Sequence, residues 1–231
     1  MGRVQIKKET FDFLKALSKH NNREWFNKHK ENYREAHDNI IAFTDALLET
    51  MNRHDRIENT SGRESLFRIY RDIRFSKDKT PYNICWHGSF KRATRKLRGG
   101  YYFHLSPGNS FLAGGFWNPE PKDLKRIRED IDMHYEDWGK MLRDRTLTRT
   151  FGKLVGEQVA TVPRGFDKSH PAIDLIRNKQ FVLKHPFTDQ EVYGSGFVEK
   201  ANDTFRKMRP FFDYMSEVLT TDANGVPLIE D

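Results

Sequence analysis

Between Leu66 and Trp117 the side chains alternate with a period near two, and the segments carrying that pattern are separated only by Thr80-Pro81, Arg98-Gly99-Gly100 and Pro107-Gly108-Asn109. Connections this short hold no crossover helix, so segments 66–75, 84–90, 100–106 and 109–117 are predicted to pair as antiparallel strands. Gly114-Gly115 inside the last of them predicts a bulge or a close approach of another backbone or a ligand.

On either side of this stretch the apolar period becomes 3.6. Phe11, Phe13, Leu14 and Leu17 mark a short helix that Thr10 can cap. Asn21-x-x-Glu24 reads as a capping box ahead of Trp25, His29, Tyr33, Ala36, Ile40, Phe43, Leu47 and Met51, which follow each other at three or four residues. A single helix over 23–51 would reach ~43 Å, long for a compact domain, so a bend or a break near its middle is expected. Pro121 opens a helix carrying Leu124, Ile127, Ile131, Tyr135, Trp138 and Met141. A last helix over 196–220 carries Phe197, Ala201, Phe205, Met208, Phe212, Met215 and Leu219, and Pro210 must kink it or begin a second one. A short helix at 169–177 and strands at 179–187 and 157–162 complete the pattern. The predicted fold is α+β: an antiparallel sheet of about five to six strands covered by N-terminal, central and C-terminal helices, in a single domain over 1–222, with a frayed acidic tail at 223–231.

Composition narrows the class further. No run approaches the ~20 apolar residues a bilayer crossing requires, so no membrane is expected as a partner. Aromatic residues make up 13% of the chain, more than a disordered chain carries. Cys85 is the only cysteine, which excludes an internal disulfide and a cysteine-based zinc framework; it is expected to be a small buried hydrophobe. The first residues, MGRVQIKKETF, lack the apolar core of a secretion signal, and a cytoplasmic location is expected. His87 and His104 on neighbouring strands, with Asp72, form the best metal-ligand set available, but no metal-binding spacing occurs, so no metal is expected, and the sequence identifies no particular cofactor.

The charge is unevenly spread. Residues 1–60 hold 11 Lys and Arg against 10 Asp and Glu, residues 61–120 hold 11 against 4, and residues 121–231 hold 18 against 19. The whole basic excess therefore lies in one quarter of the chain, as an anion-handling surface requires, unless carboxylates from the flanking helices answer it. Within 66–75, Phe67, Ile69, Arg71, Ile73 and Phe75 share one face, and Arg68, Asp72 and Arg74 the other. A guanidinium on an apolar face is costly unless paired, so Arg71 calls for an internal carboxylate or for a ligand's anion. The following Ser76-Lys77-Asp78-Lys79-Thr80-Pro81-Tyr82 is an extended loop with cations, hydroxyls and free backbone N–H groups.

The leading expectation is thus a site for a phosphate- or carboxylate-bearing small molecule, formed by Arg71, Arg74, Ser76, Lys77, Lys79 and Thr80. Asp72 would orient an arginine and would act as general base if the protein is an enzyme, Asp78 would shape the loop, and Tyr82 and Trp117 would supply apolar walls. Two alternatives stay open. Lys91, Arg92, Arg95, Lys96 and Arg98, followed by Tyr101-Tyr102-Phe103, fit a nucleic-acid-binding module. A scaffold domain would spend the 71–82 cations on internal ion pairs. The formal Ser76-x-x-Lys79 match to serine acyl-transferring enzymes fails because Pro81 closes that helix after one turn and the partner motifs are missing.

The run Arg71-Asp72-Ile73-Arg74-Phe75-Ser76-Lys77-Asp78-Lys79-Thr80-Pro81-Tyr82 resembles the signature of domain-of-unknown-function family 2461, found in bacteria and fungi. Phe13-Leu14, Asn21-Asn22, Trp25-Phe26, His29-Lys30 and Tyr33 are similar to that family's opening, and Gly114-Gly115-Phe116-Trp117-Asn118-Pro119 to its glycine-rich strand. The resemblance spans nearly the whole chain and implies no activity and no catalytic residues. Asn83 stands where the family commonly has Lys, which removes a cation from any anion grip at that position.

Overall fold

The computed structural model describes residues 4–222 and 225–228. In chain order the elements are α1 (Lys8–Lys19), α2 (Arg23–Lys28), α3 (Lys30–Met51), α4 (Gly62–Ser65), β1 (Trp86–Lys91), β2 (Gly100–Leu105), β3 (Ser110–Phe116), α5 (Pro121–Met133), α6 (Tyr135–Leu142), α7 (Arg145–Phe151), α8 (Ile173–Ile176), β4 (Phe181–Phe187), α9 (Asp189–Val192), α10 (Phe197–Lys207) and α11 (Arg209–Thr220). The four strands form one antiparallel sheet in the order β1-β2-β3-β4. The class is α+β as expected, with four strands among the described residues in place of five to six.

By its internal contacts the chain divides into two compact units. One takes the described residues through Phe90 with Tyr102–Leu112 and Pro186–Asp203; the other takes Lys91–Tyr101, Ala113–His185 and the described residues from Thr204 onward. In the first unit α1 packs on α3, burying Phe11, Leu14 and Leu17 with Ile40, Phe43 and Leu47. The Phe43 ring lies 6.1 Å from Phe103 and 5.5 Å from Phe197, both fully buried, so helix and strand side chains close one core. In the second unit Tyr101 stands edge-on to Phe205 and Phe212, and buried Trp138 gives its indole N–H to Asp130 at 2.6 Å.

Several expectations change at the level of single residues. The long 23–51 helix breaks at His29 (φ −110°, ψ 24°) into α2 and α3. Thr10 does not cap α1; it lies inside the helix and gives its hydroxyl to Asn39. Asn22, not Asn21, caps α2 by accepting from the Trp25 N–H at 2.9 Å. The final helix divides with Pro210 in the first turn of α11, where its missing N–H costs nothing. Segment 157–162 contributes only the bridge Gln158↔Asn178, and the helix near 169–177 shrinks to α8.

Segment 66–75 is not a strand. It is held by two isolated bridges, Leu66↔Gly88 and Tyr70↔Tyr82, and by hydrogen bonds from Phe67 N to His87 O (3.0 Å), from Asn83 N to Ile69 O (2.7 Å) and from Arg71 N to Pro81 O (2.9 Å). Pro81 has no N–H to return, and beyond Arg71 the side chains of Asp72 and Asp78 take backbone N–H groups two residues on. The ladder ends there and the chain turns back on itself. Of the supposed apolar face only Ile69 is buried, while Phe67 is 49% and Phe75 94% exposed.

The tail expected to fray over 223–231 falls at residues 223, 224 and 229–231 outside the described residues. At 225–228, Thr221 bridges Pro227 and Leu228 N donates to Thr220 O at 2.8 Å.

Candidate functional site

The loop 71–82 is ordered by its own polar groups. Arg71 Nη1 donates to Asp78 Oδ2 at 2.5 Å, to the Thr80 carbonyl at 3.1 Å and to the Thr80 hydroxyl. Asp78 in turn accepts from Thr80 N (2.9 Å) and the Thr80 hydroxyl (3.0 Å). The Thr80 N–H, then Arg71 and the Thr80 hydroxyl, hold the Asp78 carboxyl down at about 2. Arg74 forks onto Asp72, with Nη2 to Oδ2 at 2.7 Å and Nε to Oδ1 at 3.0 Å, which holds Asp72 below the usual carboxylate range and raises Arg74. Lys79 Nζ donates to the Ile73 carbonyl at 2.9 Å. The internal carboxylate that Arg71 required is thus Asp78, seven residues on.

The loop base is pinned to the α1–α2 junction. Asn21 gives Nδ2 to Tyr82 O (2.9 Å) and takes Tyr82 N at Oδ1 (3.1 Å), and the Tyr82 ring stacks on Phe26 at 4.0 Å. Tyr82 is therefore a buried anchor and not an exposed wall. Trp117 belongs to the second unit and is 67% exposed. Ser76 is half-buried, and Lys77 is exposed with no ion pair or hydrogen bond among the described residues.

What opens beside this loop is a shallow concavity of about 600 Å³, lined by Leu66, Phe67, Arg68, Tyr70, Arg71, Asp72, Asn83 and His87. Of the residues singled out as a site in the sequence, only Arg71 and Asp72 line it. Arg68 and Asn83 come from the two limbs of the 66–88 ribbon and meet because Asn83 Nδ2 donates to Arg68 O at 3.1 Å. Arg68 is exposed, and its guanidinium has no partner among the described residues. Phe67 lies 4.9 Å from the His87 ring, and Tyr70 is 58% exposed. His87 accepts or donates at Nδ1 with the Tyr102 hydroxyl (3.2 Å), while its Nε2 is buried without a partner. Burial lowers the His87 pKa, so the imidazole is neutral near pH 7. The alternation that sets Arg68 on one face with Asp72 and Arg74 is the signal the sequence carries for its place beside this concavity. Nothing in the sequence brings Asn83 across to it.

The remaining sequence candidates sort as follows. Arg92 is 1% exposed and turns inward within the second unit, with Nη2 on Asp213 at 2.7 Å and Nη1 on the Arg98 carbonyl at 3.1 Å. Arg98 pairs with Asp123. Two cations of the 91–98 cluster are thereby committed to the unit's own packing, which leaves less for a nucleic acid. His87 and His104 face each other through Tyr102, with rings 6.4 Å apart, and among the described residues no three His, Cys, Asp or Glu side chains gather to hold a metal. At Gly115 (φ +140°) a Cβ would stand 2.1 Å from Phe181 O, so this glycine marks a close approach of backbone. Among the described residues no helix is long and apolar enough to cross a membrane.

Fold and site together define an α+β protein whose open concavity joins arginine side chains to exposed rings. The model of the family described as conserved hypothetical protein (DUF2461) matches residues 9–214, and the chain belongs to that family. No curated protein and no solved structure matches it.

Proposed function

We propose that this protein binds a small phosphate- or carboxylate-bearing molecule in the concavity beside residues 66–72. The observation that supports it is the Arg68 guanidinium, unpaired among the described residues at the edge of a concavity whose other cation, Arg71, is fixed in place. A free guanidinium offers five N–H donors in a planar fork that matches an oxyanion. Arg71 spends only Nη1 on Asp78 and Thr80, which keeps its Nε and Nη2 hydrogens for the same anion. Lys77, Lys79 and Arg74 are outer cations, with Lys79 tied to Ile73 O and Arg74 to Asp72; the Ser76 hydroxyl is an outer polar group, and the Thr80 hydroxyl is spent on Asp78. Trp117 and Tyr82 have no direct part in this reading. Asp72 is the candidate base if turnover follows binding. Because Arg74 holds its carboxyl low, it is a weak proton acceptor, so binding rather than turnover is the function proposed.

Thermal-shift titration with phosphorylated and carboxylated metabolites tests this, with wild type beside Arg68→Ala and Lys77→Ala. A rise in melting temperature that disappears in Arg68→Ala and weakens in Lys77→Ala is expected. No response to any anion, or a response unchanged in Arg68→Ala, overturns the reading.

A further inference from the structure

Around the cationic edge, the concavity is lined with groups that an inorganic anion would leave unused. Phe67 and Tyr70 expose about half of their surface into it or beside it, in a protein that buries most of its other rings. Asn83 spends Nδ2 on the Arg68 carbonyl, so the amide that faces the concavity keeps Oδ1 as an acceptor with no partner among the described residues. Asp72 stands at the same lining with both carboxylate oxygens taken by Arg74. His87 closes the wall against Phe67, with ring centroids 4.9 Å apart. The lining therefore combines donors for an anion at Arg68 and Arg71, flat apolar surface at Phe67 and Tyr70, and an acceptor for an N–H group at Asn83.

From this combination we infer that the anion is carried by a heteroaromatic ring with N–H donors, the chemical class of a nucleoside monophosphate. The inference rests on the anion reading above and adds the identity of the organic part. A planar ring stacks on exposed aromatic faces with an attraction that does not depend on its exact substituents. The Asn83 amide oxygen then selects rings bearing amino or imino hydrogens, since that acceptor facing a ring without them would be desolvated unpaired. The concavity's size lies within the range of small-ligand sites, ~300–1,000 Å³.

The test is isothermal titration of the full chain with three probes: adenosine 5′-monophosphate, which carries ring and phosphate; ribose 5-phosphate, which lacks the ring; and adenosine, which lacks the phosphate. The monophosphate should bind about tenfold tighter than ribose 5-phosphate, the effect of one good stacking contact, and at least about tenfold tighter than adenosine, the effect of a hydrogen bond between charged groups. Phe67→Ala should bring the monophosphate most of the way toward ribose 5-phosphate, with Tyr70 keeping the remainder, and leave the latter unchanged. Arg68→Ala should bring it most of the way toward the level of adenosine, with Arg71 keeping the remainder. Both side chains are exposed, so both variants should melt like wild type. Equal affinity for monophosphate and ribose 5-phosphate, or a ratio unmoved by Phe67→Ala, overturns the ring inference while the anion reading stands. Affinity for both phosphates unmoved by Arg68→Ala overturns the anion reading itself. Absence of binding by all three probes also overturns the ring inference and leaves the anion reading to the carboxylates of the thermal-shift panel.

Discussion

Gly88 is the position where the fold and the proposed site are most tightly coupled. A Cβ there would stand 2.4 Å from the Ser65 carbonyl oxygen and 2.8 Å from two carbons of the Phe103 ring. Ordinary contact needs the carbonyl to retreat by ~1 Å, and neither neighbour has room: Ser65 ends α4 and is 2% exposed, and Phe103 is fully buried. Gly88→Ala should therefore push residues 65–68 off β1. Overpacking of this kind costs about 1–3 kcal/mol. Loss of the Phe67 N to His87 O hydrogen bond adds about 1 kcal/mol. A total near 3 kcal/mol lowers the melting temperature of a chain this long by about 10 °C. The retreat also carries Phe67 and Arg68 away from Asn83 and Arg71, so any anion-induced thermal shift should shrink in the same variant. Gly196→Ala is the matched control, because a Cβ there meets nothing within 4 Å and the backbone is not left-handed; it should stay within about 0.5 kcal/mol of wild type. Calorimetry of the three proteins decides the matter. A Gly88→Ala variant melting within about 2 °C of wild type would refute the reasoning.

The loop should hold its shape well into acid. The Asp78 carboxyl sits at about 2 in the folded chain against 3.8 ordinarily, so its contribution is complete above pH 3.8 and disappears as pH falls through about 2. In NMR the Thr80 amide should titrate with a midpoint near the lower value, and a midpoint near 3.8 would show the knot is absent. Gly115→Ala sets a Cβ 2.1 Å from Phe181 O at φ +140°, whereas Gly114→Ala meets the ends of the Met208 and Phe212 side chains. The first should cost more than about 3 kcal/mol and the second distinctly less; urea midpoints in the reverse order would refute the close approach. Burial pushes the Cys85 thiol up to about 11 from 9.0, so at pH 8 its alkylation should run about 100-fold slower than in the urea-unfolded chain. Cys85 is half-buried and not the fully buried hydrophobe its sequence suggests, and equal rates would mean that this partial burial does not shield the thiol.

How far the sequence reveals this molecule depends on how far apart the deciding residues lie. The 3.6-residue stripe Ile40, Phe43, Leu47, Met51 is fully buried in α3, and β2 alternates as its sequence does, because burial of one face is a local pattern. Arg92 carries no such pattern. Its place in a basic run suggests solvent, yet a carboxylate 121 residues away on α11 draws it inward. Arg71 lies between these cases, since an internal carboxylate was one of its two readings and Asp78 is close enough to supply it through the turn chemistry of the same loop. The concavity was legible only in pieces. Arg68 and Asn83 are fifteen residues apart and meet through the Tyr70↔Tyr82 bridge, which no periodicity announces. The alternation that suggested a strand at 66–75 was nevertheless informative in its failure. Phe67 fits an apolar face by spacing and is left half-exposed by the fold, next to an arginine without a carboxylate. Hydrophobic side chains held out of a core by a hydrogen-bonded backbone give up burial worth about 1.5–3 kcal/mol each if fully realised. A bound ring lying on Phe67 and Tyr70 would recover part of that free energy, which is the physical reason for placing the ligand there and not on the self-paired tip of the loop.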